Sequence, residues 1–236
     1  MFSSSRKKIM FTIASQCWLC RQPLYLFHHG ICCFCLRNLI NQSSCCIGCG
    51  LPSTQRYLLC GRCLRDPPCW QSLTFVSHYQ PPISTLIKKM KFDGVTQLAP
   101  ILARLLLLRW LQEKHYGSMI KPQRIISTPL HKYRCWRRGF NQSDLLARPL
   151  ARWLNCDYHP GSLMRLYPTP SQRELSATTR RKNLRGVFHC TDNVRGQHLA
   201  LLDDVITTGS TMKEMAKLLL AQGATSVQVW CLCRTL

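Results

Sequence analysis

Leu199-Ala200-Leu201-Leu202-Asp203-Asp204-Val205-Ile206-Thr207-Thr208-Gly209-Ser210-Thr211 is the stretch that decides the fold. An apolar run leads into two adjacent carboxylates and then a hydroxyl-rich loop with one glycine. The helical stripe Met212, Met215, Ala216 and Leu219 follows and stops at Gly223. The order predicts a buried strand over 199–202, an acidic tip, a loop of phosphate size and a helix over 211–222. Backbone N–H groups at a helix start have no intrahelical acceptor, and the macrodipole there favours an anion. Gly209 permits a positive φ or a close backbone approach, and the hydroxyls of Thr207, Thr208, Ser210 and Thr211 add donors. Such a nest suits a phosphate monoester. The loop lacks the lysine and spacing of a Walker loop, which argues against a nucleoside triphosphate. On this reading Asp203 and Asp204 lie one and two residues past the strand and point in different directions. They can accept hydrogen bonds from vicinal sugar hydroxyls or hold Mg²⁺ through water. A plain helix cap is the simpler use of such an Asp. The pair joined to Thr-Thr-Gly-Ser-Thr favours a sugar phosphate at the carboxyl end of a parallel strand.

A second strand, loop and helix lies upstream. A strand is predicted over 124–128 and is stopped by Pro129; a basic segment runs to Gln142, and a helix covers 143–153. Guanidinium groups such as Arg138 bind pyrophosphate oxygens in pairs, although a solvated turn would have the same composition. Further upstream, Ile83, Leu86, Ile87 and Met90 form a helical stripe after Pro81-Pro82, with Lys88, Lys89 and Lys91 on its other face. Another helix covers 98–112, and the last strand covers 226–232. These repeats predict an α/β fold with a parallel sheet. Between Thr169 and Phe188 the chain is polar and basic, with Gln172, Arg173, Arg180, Arg181, Lys182, Asn183 and Arg185. That insert reads equally as a lid, which would keep a reactive sugar from water, or as a surface loop.

Of 16 cysteines, ten lie between Cys17 and Cys63. They include four C-x-x-C pairs: Cys17/Cys20, Cys32/Cys35, Cys46/Cys49 and Cys60/Cys63. Four thiolates on two such knuckles make a tetrahedral Zn²⁺ site, so the eight suffice for one or two ions, with the pairing left open. Cys33 and Cys45 read as spare. A disulfide framework would need an oxidising compartment, and C-x-x-C redox motifs rarely come in four copies. About 60 residues without regular apolar periodicity are too few to hold a core alone, so metal would supply folding energy. The boundary near Asp66-Pro67-Pro68 divides the chain into a loose start (1–16), a cysteine-rich zinc-ribbon module (17–66) and an α/β domain (67–236).

The formal net charge is +22. A chain this basic is a candidate partner for nucleic acid, or carries a solvated basic surface that also serves a polyphosphate. The apolar run 105–108 falls far short of a membrane span and the N-terminus lacks a full secretory pattern, so a cytoplasmic location without membrane insertion is expected.

Leu202 to Thr211 resembles the phosphoribosyl pyrophosphate (PRPP) loop of type I phosphoribosyltransferases. The resemblance implies that Val205, Thr207, Thr208, Gly209, Ser210 and Thr211 bind the 5′-phosphate of PRPP and that Asp203 and Asp204 face the ribose. Taken with the four knuckles, Leu86-Ile87-x-x-x-Lys91-Phe92-x-Gly94, Pro129-Leu130, Arg138-Gly139-Phe140-Asn141-Gln142, Gln172, Leu175, Arg180 and Asn183, the chain from Cys17 onward resembles the ComF/GntX family. That resemblance implies a zinc ribbon joined to a type I phosphoribosyltransferase-like domain with helices on both faces of its sheet. It also implies a role in handling imported DNA, in natural competence or in use of DNA as a nutrient. Arg138 and Arg180 would meet the pyrophosphate. Three uses stay open: a Mg²⁺-dependent nucleobase phosphoribosyltransferase, a single-stranded DNA-binding adaptor working with DNA-processing proteins, and a zinc-ribbon regulator. The absence of acid between His131 and Arg138 departs from related transferases and bears on metal handling.

Overall fold

The computed structural model describes residues 16–26, 29–40, 44–54, 58–117, 119–130, 136, 138–166 and 186–235. Two short helices, α1 (Cys33–Ile40) and α2 (Gly61–Arg65), belong to the cysteine-rich part. After them come β1 (Ser72–His78), α3 (Ile83–Phe92), α4 (Leu98–Tyr116), β2 (Arg124–Ser127), α5 (Gln142–Leu154), β3 (Asp157–Tyr158), β4 (Leu163–Arg165), β5 (Phe188–Cys190), β6 (His198–Ile206), α6 (Ser210–Ala221) and β7 (Ser226–Arg234). Five strands form one sheet in the order β1-β7-β6-β2-β3, every pair parallel. The α/β class expected from the sequence is the one found, with the cysteine-rich module ahead of it.

A parallel sheet covered on both faces needs strands that are apolar on both sides, and the central strands supply them. Along β6, Ala200 and Leu202 face a core made with α3, α4 and α5, while Leu199 and Leu201 face one made with α6, β4 and β5. Helix α5 follows β2 and packs on the first face; α6 follows β6 and packs on the second. The chain therefore turns opposite ways after two adjacent strands, and the crevice beyond their carboxyl ends is where an open α/β sheet binds ligands. β2 and β6 are in register there, Ser127 beside Leu202, and the Thr128 N–H donates to the Leu202 carbonyl at 2.8 Å.

Two expectations need correction, and one strand went unanticipated. First, β6 continues through Ile206, so Asp203 and Asp204 lie inside the strand and not beyond it. β7 runs alongside as far as the pair Ile206 and Arg234, and backbone pairing carries the strand past the change in side-chain polarity. Second, Lys91 is not on the solvent face of α3. It stands four residues after Ile87, on the buried side, and its side chain is 17% exposed. The unanticipated strand, β1, is not marked by the sequence pattern, because Ser72, Thr74 and Ser77 interrupt its apolar residues. Those hydroxyl residues are nonetheless buried, and Thr74 Oγ1 donates to Glu113 of α4.

Candidate functional site

The crevice is built from the ends of β2 and β6. Asn141 caps α5, its side-chain oxygen accepting from the Ser143 N–H at 3.1 Å, while its Nδ2 donates to the Thr128 carbonyl at 3.0 Å. One residue thus starts the helix and pins it to the loop after β2. Gly139 (φ +80°) supplies the left-handed turn before the cap. The next two side chains reach the acidic pair: Gln142 Nε2 to Asp204 Oδ1 at 3.4 Å, and Ser143 Oγ to Asp203 Oδ1 at 3.1 Å. The two carboxylates, expected to diverge, both meet the first turn of α5.

Arg138 donates through Nη1 to Gln142 Oε1, and its guanidinium lies 5.6 Å from the Phe92 ring centroid. Lys91 forms an ion pair with Asp204 Oδ2. The landmarks Lys91-Phe92 and Arg138 to Gln142, far apart in sequence, therefore meet at Asp204. Lys91, Gln142 and Ser143 are site residues to which sequence reasoning gave no role. The spacing of Lys91 from Ile87 was the available signal.

Asp204 is 3% exposed and Asp203 is half-buried. Burial and the neighbouring Asp204 charge push the Asp203 carboxyl up to about 7, against the opposing pull of Lys91 and of the Asp204 N–H, which donates to it at 2.8 Å. Beyond the pair, Val205 packs toward the α3–α5 core. Thr207 and Thr208 are exposed, and Gly209, Ser210 and Thr211 are partly so. Gly209 takes φ +76° and starts α6, and Thr208 Oγ1 lies 2.9 Å from Ser210 Oγ. The loop is thus an open hydroxyl-lined turn at a helix N-terminus, directly after the acidic strand. Arg180 and most of the 169–188 insert lie outside the described residues. The antiparallel ribbon of β4 and β5 leads into and out of that part of the chain.

The cysteines fall into two clusters, Cys17, Cys20, Cys32 and Cys35, and Cys46, Cys49, Cys60 and Cys63, the ligand atoms of each within 4.8 Å of one another. This settles the pairing that spacing left open: neighbouring knuckles pair, in tandem. The two modules repeat one design. The Cys17 N–H donates to Gln22 O at 2.8 Å and the Cys46 N–H to Leu51 O at 2.9 Å; α1 follows Cys32 as α2 follows Cys60. Sulfurs at 3.6 Å (Cys20 to Cys32) and 3.7 Å (Cys49 to Cys60) approach the ~3.8 Å edge of a tetrahedron with Zn–S bonds of about 2.3 Å. Backbone N–H groups of Cys32 and Cys60 point at the sulfurs of Cys17 (3.4 Å) and Cys46 (3.2 Å). Despite burial, such donors bring the Cys17 thiol down to about 6, and Cys63's N–H leads in bringing Cys60 down to about 7. Burial and neighbouring sulfurs push the Cys35 and Cys63 thiols up. The donor sets fit one Zn²⁺ each. Cys33 and Cys45 fall in neither cluster.

Comparison with known proteins agrees with this architecture. The phosphoribosyl transferase domain family matches residues 146–236. The chain is 50% identical to the DNA utilization protein YhgH of Escherichia coli O157:H7 over 96% of its own length and 100% of that protein's. It is 38% identical to Competence protein F of Haemophilus influenzae over 93% of this chain and 96% of that one. Competence protein ComFC of Bacillus subtilis matches at 35% identity over 47% of this chain and 44% of that one. No helix among the described residues is long and apolar enough to cross a membrane. With near full-length similarity to these proteins, tandem tetracysteine clusters and a phosphoribosyltransferase-type sheet, the chain belongs to the ComF/GntX family.

Proposed function

We propose that the protein binds PRPP in the crevice between β2 and β6 and takes part in handling imported DNA. The observation that carries the first half is the joining of the 207–211 loop, the acidic strand end and Arg138 at one switch point of the sheet. The loop and the α6 N-terminus take the 5′-phosphate, Asp203 and Asp204 face the ribose hydroxyls, and Arg138 with Arg180 of the insert takes the pyrophosphate, with Mg²⁺ accompanying the ligand. The eight clustered cysteines hold two structural Zn²⁺ ions, which implies a reducing, cytoplasmic setting. Residues 17–66 act as the zinc module and 67–236 as the PRPP-binding domain.

The DNA half is supported by the family's named members and by the +22 charge. Two tetrathiolate zinc sites each contribute about −2, so the chain stays strongly basic when loaded. Single-stranded DNA is the proposed polyanion. Retained ligand, without transfer to a base, is favoured by one feature: Asp204 already carries a buried ammonium partner in Lys91. Calorimetric titration of zinc-loaded protein with PRPP, with and without Mg²⁺, tests the reading beside pyrophosphate release over a panel of bases. PRPP binding with no release is expected. Absence of PRPP binding under both conditions overturns it, and release with any base converts the protein to a transferase. Asp204→Asn should weaken PRPP and leave single-stranded DNA binding intact.

A further inference from the structure

Two side chains outside the second cysteine cluster and outside the 207–211 loop touch both. Arg234, at the end of β7, is 8% exposed. Its Nε donates to the Cys49 carbonyl at 2.9 Å, and its Nη1 donates to the carbonyls of Ile206 (3.4 Å), Thr207 and Thr235. Trp70 donates from Nε1 to the Gly48 carbonyl at 2.7 Å. Its Cη2 lies 3.5 Å from the point where a Cβ on Gly209 would stand.

The knuckle is also pressed onto the sheet. The Leu73 N–H donates to the Ile47 carbonyl at 2.8 Å. Gly50, at φ +72°, has Leu73 and Phe75 atoms 3.0 Å and an Arg234 atom 3.3 Å from where its Cβ would be. Three consecutive carbonyls of one knuckle, Ile47, Gly48 and Cys49, are therefore taken, and two of their three donors continue to the loop. The first cluster is seated elsewhere, through Gly30, Ile31 and Leu39 against the α4 side of the core.

We infer that the second cluster, when it holds metal, fixes the shape of the 207–211 loop through Arg234 and Trp70, which are positioning residues, and that the first cluster does not. The physical reason lies in the knuckle. The directions of its carbonyls are set while Cys46 and Cys49 converge on one ion. A planar guanidinium buried between two sets of carbonyls cannot keep one set if the other moves, since an unpaired buried N–H is costly. The inference rests on the reading of 207–211 as the phosphate loop of a PRPP site, and the test separates the two.

The test compares wild type with Cys60→Ser, Cys20→Ser and Arg234→Lys, measuring bound zinc, hydrogen exchange of the 207–211 amides and PRPP affinity. Cys60 belongs to the second cluster and lies outside the 47–49 carbonyls, and Cys20 belongs to the first. Each cysteine variant should lose one of two zinc ions. Cys60→Ser should raise loop exchange about tenfold and weaken PRPP about tenfold, whereas Cys20→Ser should change neither. Arg234→Lys should keep both ions and reproduce the loop effects, and it decides the matter if Cys60→Ser does not fold. Unchanged exchange at 207–211 after loss of the second ion overturns the inference, as do equal effects from Cys20→Ser or no effect from Arg234→Lys. If wild type fails to bind PRPP, the reading of the loop fails, while the exchange comparison still decides the coupling.

Discussion

Replacing Lys91 by Met should expose how much of the site's stability hangs on one ammonium group. The Lys91 and Asp204 side chains are 17% and 4% exposed, so the pair is largely out of water. Met keeps the stem and its packing and deletes the charge. Removing one partner of a buried pair leaves the other uncompensated, at a cost of about 3–5 kcal/mol. For a chain of this size that lowers Tm by roughly 6–20 °C. The cost must depend on pH. Asp203 sits at about 7 in the fold, with Lys91 among the groups holding it down. Because that value is raised, its contribution to stability is full below the unfolded carboxyl pKa of about 3.9 and is lost as pH rises through 7. Without Lys91 the Asp203 carboxyl moves higher still, so the loss with rising pH extends further in the variant. Unfolding monitored by fluorescence at fixed zinc should therefore show a larger deficit at pH 8 than at pH 5.5. Lys91→Arg should be mild, and Asp204→Asn added to Lys91→Met should restore part of the loss. A deficit at pH 8 under about 1 kcal/mol, or one equal at both pH values, would refute the reasoning.

Three other outcomes are expected. Gly30→Ala should cost about 2–4 kcal/mol, since its Cβ would meet Ile101 Cδ1 at 2.2 Å and its φ is +64°; thermal melts should show Ile101→Val recovering part of it. Gln228→Leu should cost about 2–4 kcal/mol in chemical denaturation, because Gln228 Oε1 accepts from Trp110 at 3.1 Å and from Trp230 at 3.2 Å, and both buried indole N–H groups would lose their acceptor. Affinity for single-stranded DNA, measured by anisotropy, should fall about 10³-fold between 50 and 200 mM salt if it is made through roughly six to eight phosphate contacts; a salt-independent affinity would remove the electrostatic account.

The sequence was most legible where function is local. The 203–211 loop and the knuckles are runs of consecutive residues, so residue types alone raised the expectation of a turn at a helix start and of tetracysteine clusters, and both are found. Pairing of the knuckles was harder, because spacings of similar length fit tandem or interleaved sites equally. The tandem order emerges from the fold, in the two sulfur clusters and in backbone contacts such as Trp18 N–H to Gly30 O and Ile47 N–H to Leu58 O. Polarity misled twice. It ended β6 at Leu202, although a strand is held by its neighbours' backbone and not by its own side chains, and it placed Lys91 in solvent, although a lysine on a buried stripe is the natural partner of a buried acid.

What stayed illegible was long-range pairing. Arg234 and Cys49 are 185 residues apart, and Gln142 and Asp204 are 62 apart. Nothing in a C-terminal Cys-Arg-Thr or a helix-capping Asn-Gln-Ser says which carbonyl or carboxylate each will meet. The parallel sheet makes these meetings necessary. With β7 between β1 and β6, the end of β7 lies beside the start of the 207–211 loop, while β1 carries the second knuckle against the same edge. A polar residue at that end is buried by the knuckle and surrounded by carbonyls, and an arginine can satisfy them on two sides at once. The second cysteine cluster is thus seated on the sheet close to the 207–211 loop, and hydrogen bonds and packing through Arg234 and Trp70 join the two.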